Sequence, residues 1–176
     1  MKKILIVISS LVFFGCGDDE KNAPLFKQIE NLNMDNISNY NTIVESSTAH
    51  SGKKICHIDS GNRFGLIYTF LIPDSLVGKN LVVNISAWIR TGNLNNNCDI
   101  ICSVSRNDSI LLWQGCNPKA ILKTPNEWSN LTQGFVLNPK LIKPNTTIYI
   151  LLDNVDAKSY FDIDDLVITY SEPNYN

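Results

Sequence analysis

The chain has 176 residues, with 15 basic and 17 acidic side chains and a formal net charge of −2. Hydrophobic residues make up 44% of it, enough for one domain with a sizeable core. No basic stripe runs along it, which argues against a nucleic-acid partner.

Lys2 and Lys3 open the chain, and an apolar run from Ile4 to Phe14 follows. That run is shorter than the roughly 20 residues a bilayer span needs. Gly15 then precedes Cys16. A basic start, a short apolar run and a small residue before cysteine read as a secretory signal, set aside from the fold. The stretch Phe13-Phe14-Gly15-Cys16 resembles a bacterial lipoprotein signal, with Phe13 where leucine is usual. The resemblance implies a signal peptide over 1–15 and acylation of Cys16, with an ordinary signal peptide as the alternative. Gly17-Asp18-Asp19-Glu20 resembles the surface-export signal of some Gram-negative lipoproteins. It implies lipid-anchored display on the outer membrane, exposed at the cell surface. A solvated acidic linker facing the periplasm is the other reading. Losing Lys2 and Lys3 with the signal, and no acid, moves the net charge from −2 to −4.

After the linker over 16–26, short apolar runs recur between polar turns, and asparagine and β-branched residues are frequent. The spacing predicts strands over 27–33, 41–46, 53–59, 64–72, 79–91, 98–106, 109–115, 127–137, 146–153 and 160–170. Turn signals separate them, among them Ser60-Gly61-Asn62, Asn107-Asp108, Pro125-Asn126 and Pro144-Asn145. No run carries a sustained helical period and no internal repeat is present. The predicted class is all-β, an antiparallel two-sheet β-sandwich over 27–171 with a short tail over 172–176.

Besides Cys16, cysteines stand at 56, 98, 102 and 116. An even count in an exported chain permits two disulfides. Folding at Asn107-Asp108 brings the ends of two neighbouring strands together, so Cys98–Cys116 is the first candidate pair. Free buried thiols are the alternative. Zinc is disfavoured, because structural zinc wants tighter knuckles than the Cys98–Cys102 spacing.

The strand over 79–91 alternates most cleanly. Leu81, Val83, Ile85, Ala87 and Ile89 face one way, and Val82, Asn84, Ser86, Trp88 and Arg90 the other. The first set is core. The second is either ordinary surface or a ligand platform.

Four segments then carry a resemblance in order. They are Ser47-Thr48-Ala49-His50-Ser51-Gly52-Lys53, Ser86-Ala87-Trp88-Ile89-Arg90, Trp128 ahead of Phe135, and Tyr160-Phe161-Asp162-Ile163-Asp164-Asp165-Leu166-Val167-Ile168. The set resembles galactose-binding-like jelly rolls, and more narrowly carbohydrate-binding modules, across nearly all of 27–170. The resemblance implies a jelly roll, and a structural calcium held by Glu30 and Asp164 with carbonyls near Gly52 and Lys53. Oxygen ligands at several points suit calcium. Otherwise Asp164 and Asp165 cap the end of a sheet. Ile29-Glu30 departs from the more usual Phe-Glu.

Catalytic signals are sparse, and no enzyme is expected. Cys56 and His57 are adjacent on a strand and so face opposite ways. No Gly-x-Ser-x-Gly elbow and no phosphate-cradling glycine loop is present. Asp153, Asp156 and Asp162 fall near one expected edge loop, where such clusters are solvated or metal-binding.

Aromatic residues carry the remaining signal, since a sugar ring stacks its apolar face on Trp or Tyr beside polar side chains. The candidate set is Asn84, Trp88, Arg90, Trp113, Tyr149 and Asp153, with Trp88 read as platform or core. Trp128 and Tyr68 read as core. The expected function is non-catalytic glycan binding at the cell surface, alongside partner glycan-processing or uptake proteins and with the lipid as the only membrane contact. A protein-interaction, adhesion or envelope-structural module on the same fold is the alternative. Asp74-Ser75-Leu76 and Asp108-Ser109-Ile110 match a short bacterial O-glycosylation pattern.

Overall fold

A computed structural model describes residues 25–38 and 40–173. The signal peptide over 1–15, Cys16 and most of the linker lie outside them. Ten strands follow in order: β1 (Lys27–Leu32), β2 (Ile43–Glu45), β3 (Lys54–Ile58), β4 (Phe64–Leu71), β5 (Leu81–Thr91), β6 (Cys98–Arg106), β7 (Ser109–Cys116), β8 (Ser129–Leu137), β9 (Thr146–Asn154) and β10 (Phe161–Ser171). Each of the ten expected strands is present, with ends shifted by two residues at most. Three single 3-10 turns, at Met34–Asn36, Asp74–Leu76 and Pro118–Ala120, complete the elements.

The strands form two antiparallel sheets, so the chain is an all-β sandwich. One sheet runs β2-β3-β10-β5-β8, with β1 joining β10 beyond the end of β3; the other runs β4-β9-β6-β7. Alternation decides what lies between them. Leu81, Val83, Ile85, Ala87 and Ile89 of β5 are buried in the core, together with Ile100, Cys102 and Val104 of β6 and Ile148, Ile150 and Leu152 of β9. Asn107 and Asp108 join β6 to β7 with φ of 49° and 61°. Positive φ at both central residues is what a tight hairpin turn matched to strand twist requires.

One irregularity controls the site described below. Between Asp164 and Val167, β10 gains a residue against β5, and Asp165 takes a φ of 48°. Such a bulge changes which face the following residues occupy. Asp164, opposite Trp88, faces outward, whereas Ile168, opposite Glu30, faces the core.

The expected Cys98–Cys116 disulfide is not formed. Cys116 lies opposite Ile100, two residues along from Cys98, and cysteines 56, 98, 102 and 116 are all free thiols. Burial pushes the thiol of Cys56 up to about 11 and those of Cys98 and Cys102 up to about 12. They are apolar core side chains rather than reactive groups.

Candidate functional site

The two outer faces of the sandwich each carry part of the expected site. The six-stranded sheet presents Asn84, Trp88 and Arg90, and the four-stranded sheet presents Trp113, Tyr149 and Asp153. The expected single set is therefore corrected to two groups with the core between them.

On the six-stranded sheet, residues 46–53 between β2 and β3 fold back as a strap over the outer face. Asp164 Oδ2 accepts the backbone N–H groups of His50 and Ser51, each at 3.0 Å. Asp165 accepts from the Ser51 hydroxyl and meets His50 Nδ1 at 2.7 Å. Gly52, with a φ of 60°, passes so close to Asp35 that a Cβ would sit 1.6 Å from its carboxylate. That carboxylate accepts the N–H groups of Lys53 and Lys54. The strap sets the His50 ring on Trp88, with centroids 4.0 Å apart and planes 15° apart. Trp88 is thus half-buried under a histidine, neither in the core nor an open platform. Asn84 is exposed further along the same face, opposite Thr169 and Gly134.

Arg90 is 7% exposed and Asp162, its neighbour on β10, is 1% exposed. Arg90 Nε and Nη2 both donate to Asp162 Oδ2, and Nη1 donates to the Thr48 carbonyl. His57 Nδ1 lies 2.6 Å from the other oxygen of Asp162. Asp153 and Asp162 sit at the strand ends that flank the loop carrying Asp156, and Asp162 lies in the last strand as expected. Trp128, expected in the core, lies outside, half-buried over the Arg90 guanidinium at 4.6 Å, with its Nε1 donating to the Thr48 carbonyl. Tyr160 flanks the same guanidinium at 5.7 Å and stacks on His57 at 5.6 Å. A cavity of about 500 Å³ opens here, with Ile55, Arg90 and Asp162 below and Glu45, Asn126 and Tyr160 around it. Cys56 faces the core, so no Cys–His pair exists.

The calcium pair does not fit. Glu30 is turned toward the core side, beside Tyr68, whose hydroxyl is pushed up to about 12 by burial and by that carboxylate. Asp164 faces outward, and its oxygens are taken by three backbone N–H groups, those of His50, Ser51 and Asp165. Burial raises the Asp164 carboxyl in spite of those bonds. Amide donors around a carboxylate occupy the lone pairs a hard cation would need. No cluster of three or more His, Cys, Asp or Glu residues occurs among the described residues.

On the four-stranded sheet, Tyr149 lies opposite Ser103, and Ser103 lies opposite Trp113. Directly paired residues point to the same face, so the three form one row across β9, β6 and β7. Two strand spacings put the Tyr and Trp backbones about 10 Å apart. Trp113 is 49% exposed, Tyr149 is half-buried and Ser103 is buried between them. The row lies in a groove of about 430 Å³ that also takes in Ile67, Ile110 and Leu151. Asp153 is on the same face four residues along β9, but both its oxygens are held by Arg63, at 2.6 and 2.9 Å. It therefore holds a loop rather than facing a ligand.

Tyr68 packs against the core, as expected. Sequence reasoning missed His57, Tyr160, Asn126, Glu45 and Ser103. Period-two alternation carried a signal for two of them: it puts His57 opposite in direction to core Cys56, and Tyr160 on the same side as Asp162.

No family model and no curated protein matches the chain. Solved structures similar to it include the Family 16 Carbohydrate Binding Module-2, at 16% identity over 74% of this chain and 86% of that one, with a TM-score of 0.45. Another is TmCBM61 in complex with beta-1,4-galactotriose, at 14% identity over 81% and 86%, with a TM-score of 0.40. A third is a cyclase from Fischerella sp. TAU in complex with 4-(1H-indol-3-yl)butan-2-one, at 14% identity over 76% and 74%, with a TM-score of 0.46. Likenesses this distant, to binding modules and to an enzyme alike, carry nothing about ligand or reaction.

Proposed function

We propose that this protein is a non-catalytic carbohydrate-binding module whose glycan site is the outer face of the four-stranded sheet. The observation that carries the reading is the row Tyr149–Ser103–Trp113. Two aromatic rings on one face, with a hydroxyl between them, match a saccharide chain that offers alternating apolar ring faces and hydroxyl edges. Backbone pairing on a rigid sheet fixes their spacing, which lowers the ordering cost of binding. The open groove suits the middle of a chain rather than a single enclosed unit.

A second reading has its own support. Leu71 and Ile110 are 65% and 63% exposed on the same face, and aliphatic side chains there favour a protein partner. A glycan array probed with the protein separates the two: saturable binding to one class of oligosaccharide supports the first, and an array without signal supports the second.

The anchoring reading joins the first. Acylation at Cys16 would tether the domain to the outer membrane at the cell surface and hold glycan near partner enzymes or uptake proteins. No helix among the described residues is long and apolar enough to cross a membrane. Fractionation of Cys16→Ser tests it. The variant should leave the membrane fraction, and retention after a salt wash would refute the anchor.

A further inference from the structure

The cavity beside Arg90 lies on the opposite side of the sandwich from the aromatic row and serves no part of the reading above. Its floor is built from Ile55, Arg90 and Asp162, which are 2%, 7% and 1% exposed. Burying an ion pair under an open cavity is costly to the fold unless its hydrogen-bonding capacity is used. A guanidinium has five N–H groups. Two bonds run to Asp162 and one to the Thr48 carbonyl, which leaves N–H capacity on a buried side chain that lines the cavity.

The remaining groups define what could use it. Asn126 spends its Oδ1 on the Tyr160 hydroxyl at 2.6 Å, so its amide N–H₂ group is without a partner among the described residues. Glu45 at the rim is an acceptor, and Ser46 and Thr48, whose hydroxyls meet at 3.1 Å, also belong to the lining. His57 is held by Asp162 through Nδ1, and its Nε2 faces Asp59 only at 3.7 Å. Donors and acceptors are thus interleaved within one small volume.

Charge narrows the class. Asp162 neutralises Arg90, the one Lys or Arg among the lining residues, and Glu45 adds a carboxylate, so a carboxylate, sulfate or phosphate finds no uncompensated lysine or arginine there. A cation is disfavoured as well, because Arg90 already covers the inner faces of Trp128 and Tyr160. We propose that this cavity is a second ligand site, taking a neutral, hydroxyl-rich ligand of one or two sugar-sized rings. Its volume is within the range of small-molecule pockets, roughly 300–1,000 Å³. The strap held by Asp164 and Asp165 forms one wall, so the site is built by the bulge in β10 and does not depend on the glycan reading of the other sheet.

The test is amide NMR on isotope-labelled full-length protein, titrated at millimolar concentration with glucose, galactose, xylose, mannose, glucosamine and glucuronate. At least one neutral sugar should shift the amides of Ser46, Thr48, His57 and Tyr160, and glucosamine and glucuronate should do so more weakly. Asn126→Gly keeps the positive φ of 65° accessible and removes the amide. It should weaken this binding about tenfold, as should Glu45→Ala, while Trp113→Ala leaves it intact. Shifts confined to Ser103, Trp113 and Tyr149 would overturn the second site. So would cavity shifts as large with the charged sugars, or no shift with any probe. Loss of glycan binding at the aromatic row alone would touch only the earlier reading.

Discussion

Replacing Asp162 by alanine strands one of the most buried charges in the protein. The Arg90 side chain is 9% exposed, and two of its three hydrogen bonds end on Asp162. Removing one partner of a buried pair costs about 3–5 kcal/mol, because the remaining charge stays desolvated. In a domain of this size each kcal/mol lowers the melting temperature by about 2–4 °C, so a fall of roughly 6–20 °C is expected. The double replacement Arg90→Met with Asp162→Leu removes both charges and should recover most of that loss. The pair Lys79–Glu172 is the control, with the Lys79 side chain 48% exposed. Lys79→Ala should change stability by less than about 1 kcal/mol. Thermal melts followed by circular dichroism, with denaturant titrations for free energies, measure all four proteins. A melting point for Asp162→Ala within the range of Lys79→Ala, or a double variant no better than the single, would refute the reasoning.

Further outcomes follow from the same packing. Brief iodoacetamide labelling of the native protein with peptide mapping should modify half-buried Cys116 and spare Cys56, Cys98 and Cys102; a mapped Cys98–Cys116 bridge would contradict the free-thiol core. Trp88→Ala should lower stability through loss of the His50 stack while leaving glycan affinity at the other sheet unchanged, as melts and binding curves on one sample would show. The Tyr170 hydroxyl is the buried side-chain polar atom without a hydrogen-bond partner among the described residues, so Tyr170→Phe should raise stability by about 1 kcal/mol in denaturant titrations. Tyr68 and the three core thiols have folded values raised by burial to between about 11 and about 12, above their ordinary 10.0 and 9.0. Folding therefore keeps their full contribution below those ordinary values and loses it as pH rises through the folded ones, so stability should drop steeply on the alkaline side and less steeply in Tyr68→Phe.

The strands were legible because each carries its own period. β5 alternates without a break, and the Asn107-Asp108 turn announces the β6–β7 hairpin. Pairing was not legible, because it is non-local. β5 lies between β8 and β10, and β9 between β4 and β6. No local pattern says that Trp88 and Tyr149 belong to different sheets, and so one expected site became two. The bulge at Asp165 is equally silent: it reverses the face of every later residue in β10 and separates Glu30 from Asp164. Trp88 was legible as an outward residue but not as a covered one, since its cover, His50, comes from a strap whose anchors lie more than a hundred residues away. Trp128 failed for a related reason. The Pro-Asn turn before it reads as the start of a core strand, whereas its partners are the Thr48 carbonyl and Arg90 across the outer face.

The central claim is that a glycan stacks on the row of Tyr149 and Trp113. Its most direct measurement is the glycan affinity of Trp113→Ala beside the parent protein, by calorimetry with the oligosaccharide that gives the strongest array signal. Trp113 is half exposed and outside the core, so the melting temperature should stay within error. Affinity should fall by roughly thirtyfold or more, the loss of at least about 2 kcal/mol that a stacked aromatic hot spot carries. An unchanged affinity in a normally folded variant would contradict the account.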